Sequence, residues 1–156
     1  MYHRDRADRR NPIFLYGPSR SGKTTMLKVI EDYLSRIKGV RVFRLDAEDL
    51  VIELVRSIRN SGGTMAFYYK FHDYDALLVD NIWVLQGKPR TAKEIFNLFK
   101  TLINKDKLLV IAWDIVPEML LQGTKTINEL QELQERSITF KMKALHPVKI
   151  ETYPVY

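Results

Sequence analysis

Apolar positions follow two rhythms along this chain. Short apolar runs occur at Pro12-Ile13-Phe14-Leu15-Tyr16, at Leu77-Leu78-Val79 and from Lys107 to Trp113. Runs of that length, bounded by polar or turn-forming residues, are expected to be buried strands. Val40-Arg41-Val42-Phe43-Arg44-Leu45 alternates and is β-branched enough to be another strand, and Val148-Lys149-Ile150-Glu151 alternates as a last one. Between the strands the spacing changes to three and four residues. Met26, Leu27, Ile30, Tyr33, Leu34 and Ile37 share one helix face. Leu50, Leu54, Val55 and Ile58 share another, on a helix that Glu48 and Asp49 open after Asp46 and that Asn60-Ser61-Gly62-Gly63 stops. The aromatic stretch Thr64 to His72, with Phe67, Tyr68, Tyr69 and Phe71, reads as a short helix packed on the core; stacking on bases is its other use. Thr91 is expected to open a long amphipathic helix carrying Ile95, Leu98, Phe99, Leu102 and Ile103, with Glu94 completing a capping box. Pro117 to Leu121 and Ile127 to Glu135 read as two further short helices. Strands alternating with helices predict an α/β fold of three layers, a five-stranded parallel sheet flanked by helices.

Composition narrows this only a little. At 156 residues the chain suits one domain with a real core, and neither its 46% hydrophobic nor its 28% charged content suggests disorder. Residues 1–11, with Arg4, Arg6, Arg9 and Arg10 among Asp5 and Asp8, are expected to be a solvated basic arm, leaving 12–156 as a single core domain. There is no cysteine, which excludes disulfides and thiolate zinc sites and suits the cytoplasm, the expected location. The longest wholly apolar run, Leu108 to Trp113, is far too short to span a bilayer, and the N-terminus leads into charge and not into an apolar segment; neither membrane nor signal peptide is expected. The net charge of +6 favours an anionic partner, and a nucleotide alone would satisfy part of that preference.

The stretch Gly17-Pro18-Ser19-Arg20-Ser21-Gly22-Lys23-Thr24 supplies the chemistry. It fits G-x-x-x-x-G-K-[ST] and lies between an expected strand and an expected helix, the context a phosphate-binding P-loop requires. Backbone N–H groups of such a loop point at the anion, and the helix N-terminus adds partial positive charge. Lys23 would reach the β- and γ-phosphates, the Thr24 hydroxyl would ligate Mg²⁺, and Thr25 continues the phosphate-binding turn. Leu77-Leu78-Val79-Asp80 has the form of a Walker B strand, whose acid would hold Mg²⁺ at the carboxyl edge of the sheet.

From about Asn11 to about Thr152 these residues resemble the ATPase domain of the bacterial replication initiator DnaA, within the AAA+ class. The likeness rests on Asn11 to Gly17 leading into the P-loop, on Tyr74-Asp75-Ala76-Leu77-Leu78-Val79-Asp80-Asn81-Ile82, on Leu85-Gln86-Gly87-Lys88-Pro89-Arg90-Thr91, and on the strand ending at Asp114 before Pro117. The resemblance implies an AAA+ core that binds ATP or ADP with Mg²⁺. It implies that Asp114 is the sensor 1 residue, and that Val55, Lys88, Arg90 and Thr91 contact single-stranded DNA. Lysine and arginine neutralise phosphates and a hydroxyl hydrogen-bonds one, which gives that match a physical sense.

The departures carry equal weight. Asn81 stands where the family has a second acid, and an amide orients water but is not a useful base; slow or absent hydrolysis is expected. Ile138-Thr139-Phe140 stands where the family has Ser-Arg-Phe with its arginine finger, and Arg136 is offset from it. The sequence stops soon after its last expected strand and shows neither the helical lid nor the C-terminal DNA-binding domain, so a fragment or a short stand-alone relative is expected. The resemblance thus implies an ATP-binding module that engages single-stranded DNA around replication initiation. The alternative is a nucleotide-binding module that docks on a full-length initiator, helicase loader or other replisome protein. A small-molecule phosphotransferase would need an arginine-bearing lid, for which no insertion is found.

Overall fold

The computed structural model of the chain describes residues 10–114, 132–133 and 135–143. The helix expected at 117–121 and the strand expected at 148–151 lie outside these residues, as does most of the helix expected at 127–135.

Among the described residues, five parallel strands form one sheet: β1 (Ile13–Tyr16), β2 (Val42–Asp46), β3 (Ala76–Asp80), β4 (Leu108–Trp113) and β5 (Ile138–Lys141), in the order β2-β3-β4-β1-β5. The central strands β3 and β4 are almost wholly buried, as continuous apolar runs in a sheet covered on both faces must be. Helix α1 (Lys23–Ser35) lies on one face, where Leu27 packs with Leu15, Leu78, Val110 and Ala112. The larger core is on the other face. There α2 (Ala47–Arg59), α3 (Gly63–Phe71) and α4 (Pro89–Asn104) bury Leu50, Leu54, Phe67, Phe71, Ile95 and Phe99 against Phe14, Leu77, Leu109 and Ile111. In the aromatic stretch the packing use holds for Phe67 and Phe71, which are buried, whereas Tyr69 is 70% exposed.

One strand was not foreseen and one helix start is corrected. Ile138–Lys141 is a strand in register beside β1, from Ile13 opposite Ile138 to Tyr16 opposite Lys141. Its apolar positions are few and most of its residues are exposed, so burial left little mark on its sequence. The correction concerns α4. It begins at Pro89 with Lys88 as its N-cap and no side-chain cap, so Thr91 sits inside the first turn and makes no capping box. Proline at the first position has its φ preset and no N–H to satisfy, which moves the start upstream. Glu94 instead accepts a hydrogen bond from the Tyr68 hydroxyl (3.3 Å), and burial followed by the Glu94 charge pushes the Tyr68 pKa up.

This topology gathers the loops that follow β1, β2, β3 and β4 at one edge of the sheet, their carboxyl ends, where open α/β sheets bind ligands.

Candidate nucleotide site

β1 delivers the chain to Gly17, whose N–H donates to the Trp113 carbonyl at the end of β4 (3.2 Å). The loop then turns back on itself through Ser21 N–H to the Pro18 carbonyl (3.2 Å), with Arg20 in the left-handed region at φ 63° and Gly22 at φ 89°. Gly22 is the N-cap of α1. It offers no side-chain cap, and there is no acid in the first turn, so the positive end of the helix faces the loop uncompensated.

Lys23 is the first residue of α1 and is almost completely buried. Its Nζ donates to the Gly17 and Pro18 carbonyls (2.7 Å each) and to Ser21 Oγ (3.2 Å), and it pairs with Asp114 Oδ1 at 2.9 Å. The cation therefore joins the P-loop to the end of β4. Next along the helix, Thr24 Oγ1 donates to Asp80 Oδ2 at 2.6 Å, and Asp80 Oδ1 accepts from the Asn81 backbone N–H at 2.9 Å. Asn81 takes a left-handed conformation (φ 57°), which asparagine tolerates better than most residues. It starts the 3₁₀ turn Ile82–Leu85, whose Ile82 and Leu85 are buried in the larger core. Gly22, Lys23, Thr24, Asp80, Asn81 and Asp114 line one cavity of about 500 Å³ together with Ser19, Arg20, Thr25 and Asp46.

The donor set fits a magnesium nucleotide. A hydroxyl and a carboxylate already in hydrogen-bond contact, Thr24 and Asp80, are hard oxygen ligands suited to Mg²⁺. Uncapped helix amides and a buried ammonium suit phosphate oxygens.

The cavity unites Ser19, Arg20, Gly22, Lys23, Thr24 and Thr25 with Asp80, Asn81 and Asp114, whereas Gly17, Pro18 and Ser21 do not line it and instead hold the Lys23 ammonium. It adds one residue that the sequence did not mark as part of the site. Asp46 ends β2 in register with Asp80 at the end of β3. Its signal was available, since it is an acid ending a strand just as Asp80 is, but its position before Glu48 and Asp49 gives it the look of a helix start. It does serve as one: Asp46 Oδ1 accepts the Glu48 N–H at 2.8 Å.

Val55, Lys88, Arg90 and Thr91 are not in this cavity. Val55 is exposed on α2, beside a shallow groove shared with Ile52, Arg56 and Arg59. Lys88 and Arg90 are exposed at the start of α4, after Gly87 (φ 77°), and Thr91 is half-buried. α2 and α4 bury their apolar sides in the same core, so all four positions belong to the helical layer on the face opposite α1. Arg136 precedes β5 at the other edge of the sheet, where its guanidinium donates to Asn104 Oδ1 at 3.3 Å.

The family model for the bacterial DnaA ATPase domain matches residues 3–137. The chain belongs to the bacterial DnaA ATPase-domain family. It is 38% identical over 111 residues to the chromosomal replication initiator protein DnaA of Clavibacter sepedonicus, a match that covers 70% of this chain and 23% of that protein. Among solved structures, AMPPCP-bound DnaA from Aquifex aeolicus superposes with a TM-score of 0.72 at 29% identity, covering 85% of this chain and 40% of that one. A DnaA bound to AMPPCP and single-stranded DNA superposes with a TM-score of 0.74 at 28% identity, covering 86% and 41%. The chain thus spans about a quarter of the curated DnaA protein it matches, and its fold is that of a DnaA AAA+ P-loop domain.

Proposed function

We propose that this chain binds ATP or ADP with Mg²⁺ in the P-loop cavity and engages single-stranded DNA around replication initiation, with slow ATP hydrolysis. The observation that carries the nucleotide reading is the convergence of Lys23, Thr24, Asp80 and Asp114 in one cavity at the carboxyl edge of the sheet. Lys23 would take the β- and γ-phosphates, Thr24 and Asp80 would hold the metal, and Asp114 would answer to the γ-phosphate. Bound nucleotide supplies the phosphoanhydride to be cleaved, and the chain supplies charge, orientation and a shielded loop. Slow turnover follows from Asn81, whose amide orients water without accepting its proton. The cytoplasm is the proposed location. No helix among the described residues is long and apolar enough to cross a membrane.

The DNA reading is supported by the DnaA relative bound to single-stranded DNA and by exposed Lys88 and Arg90 standing beside Thr91 at the start of α4. Fluorescence anisotropy with a labelled single-stranded oligonucleotide tests it, with and without Mg-ATP and with a duplex control. Wild type should prefer the single strand, bind less as salt rises, and lose at least tenfold in affinity in the Lys88→Ala/Arg90→Ala double variant. Equal binding by wild type and variant would overturn the assignment of that surface. Phosphate release should be slow and should rise in Asn81→Asp; brisk release by wild type would contradict the role given to Asn81.

A further inference from the structure

We propose that Asp46, on the strand next to Asp80, is the carboxylate that orients the attacking water and accepts its proton in the slow hydrolysis that remains without an acid at position 81; this rests on the nucleotide-binding reading above. β2 and β3 run parallel with Asp46 opposite Asp80, so the two carboxylates end adjacent strands on the same face of the sheet, on backbones about 4.8 Å apart. Both line the cavity that holds Lys23, Thr24 and Asn81. Both Asp80 oxygens already have a partner, Oδ2 the Thr24 hydroxyl and Oδ1 the Asn81 N–H, and the proposed task of Asp80 is the metal. Asp46 is committed on one side only. Its Oδ1 accepts the Glu48 N–H, and its Oδ2 has no partner among the described residues. One anchored oxygen fixes the carboxylate at the junction of β2 and α2, two rigid elements, and leaves the second oxygen free to face the cavity.

A capping role calls for an acceptor, and the helix dipole, already met by Glu48 and Asp49 in the first turn, favours a further charge only modestly. Serine or asparagine caps a helix about as well as aspartate, and neither would add a negative charge to a cavity that already holds Asp80 and Asp114. The charge is explained if it accepts a proton. In the reaction the water oxygen bonds to the γ-phosphorus while the bond from that phosphorus to the bridging oxygen breaks. The electron pair leaves with ADP, and the water proton passes to Asp46 Oδ2 and from there to solvent.

The test uses Asp46→Asn and Asp46→Ser in the full chain, since both substitutes keep a cap acceptor. Three quantities are compared with wild type: ATP affinity by calorimetry, phosphate release at saturating Mg-ATP, and trapping of ADP by fluoroaluminate, which mimics the phosphoryl group in flight. The expected result is ATP affinity within twofold and an unchanged melting temperature, with release falling by about a hundredfold, as loss of a general base does, and trapping lost in both variants. Unchanged release and trapping in either folded variant would overturn the proposal, as would absence of any release by wild type. Failure of wild type to bind ATP would overturn the nucleotide reading itself, so the two failures are distinct.

Discussion

Gly17 has no room for a side chain. A Cβ there would stand 2.4 Å from the Met142 carbonyl oxygen and 2.9 Å from Ser21 Oγ, and the first of these is backbone that cannot swing away. The crowding arises because the pairing of β5 with β1 continues to the loop itself, through Met142 N–H to the Tyr16 carbonyl at 2.7 Å. Gly17→Ala is therefore expected to destabilise the fold by about 1–3 kcal/mol, the usual range for overpacking, and to weaken ATP binding by shifting the loop; urea unfolding and calorimetry measure the two effects. Lys23 behaves in the opposite way. Among the described residues its ammonium contacts loop carbonyls, Ser21 and Asp114, none of them part of the apolar core. Lys23→Ala should abolish ATP binding while far-UV circular dichroism stays that of wild type. Unchanged ATP affinity in this variant would remove the P-loop assignment. The motif made both residues visible in the sequence, but it did not give the reason for Gly17, because Met142 is far away along the chain.

Between elements, the tie of α2 to α3 is partly electrostatic. Glu53 on α2 accepts from Arg56 at 2.5 Å and pairs with Lys70 on α3. The Lys70 hydrogen bond, reinforced by the nearby charges of Lys70 and Arg56, holds the Glu53 carboxyl below its ordinary range against a smaller opposing effect of burial. A folded-state pKa below the unfolded one means that this contribution is fully present above the ordinary glutamate range and is lost as pH falls through the depressed value. Lys70→Ala should thus lower stability at pH 7 by less than about 1 kcal/mol, as expected of a solvent-accessible pair. The gap from wild type should close on acidification below pH 4.5, the ordinary value; chemical unfolding at a series of pH values measures it. A gap that widened in acid would show that Lys70 acts by packing. The presence of α1, α2, β3 and β4 was legible from spacing, but the buried helix faces are narrower than the spacing predicts: Met26, Tyr33 and Ile37 in and after α1, and Val55 and Ile58 in α2, are exposed. The start of α4 was not, because Pro89 and Thr91 both signal a helix start and only backbone geometry chooses between them. β5 was missed because an exposed edge strand carries no buried run.

At the scale of the whole molecule, the sheet order decides which loops share a space. β1 sits between β4 and β5, while α1 crosses to β2 at the far edge, so the P-loop lies beside Asp114 and reaches across to Asp80 through Thr24. A ligand held by so many separate segments stabilises all of them together. With ATP at about a hundred times its Kd, the expected gain is about 2.7 kcal/mol. For a chain of this size that raises the melting temperature by about 5–10 °C. The rise should require Mg²⁺ and should be missing in Lys23→Ala; an equal rise in that variant would place the nucleotide elsewhere. The α/β class, most strands and helices, the P-loop motif and the strand ending in Asp80 can be read directly from the sequence, because periodicity and short motifs are local and each is written in contiguous residues. The pairing of Asp114 with Lys23, the place of Asp46 in the same cavity, the crowding of Gly17 by Met142 and the pairing of Ile138–Lys141 with β1 come from the fold. Each of these depends on strand order and register, which bring together residues distant along the chain and which no local pattern encodes.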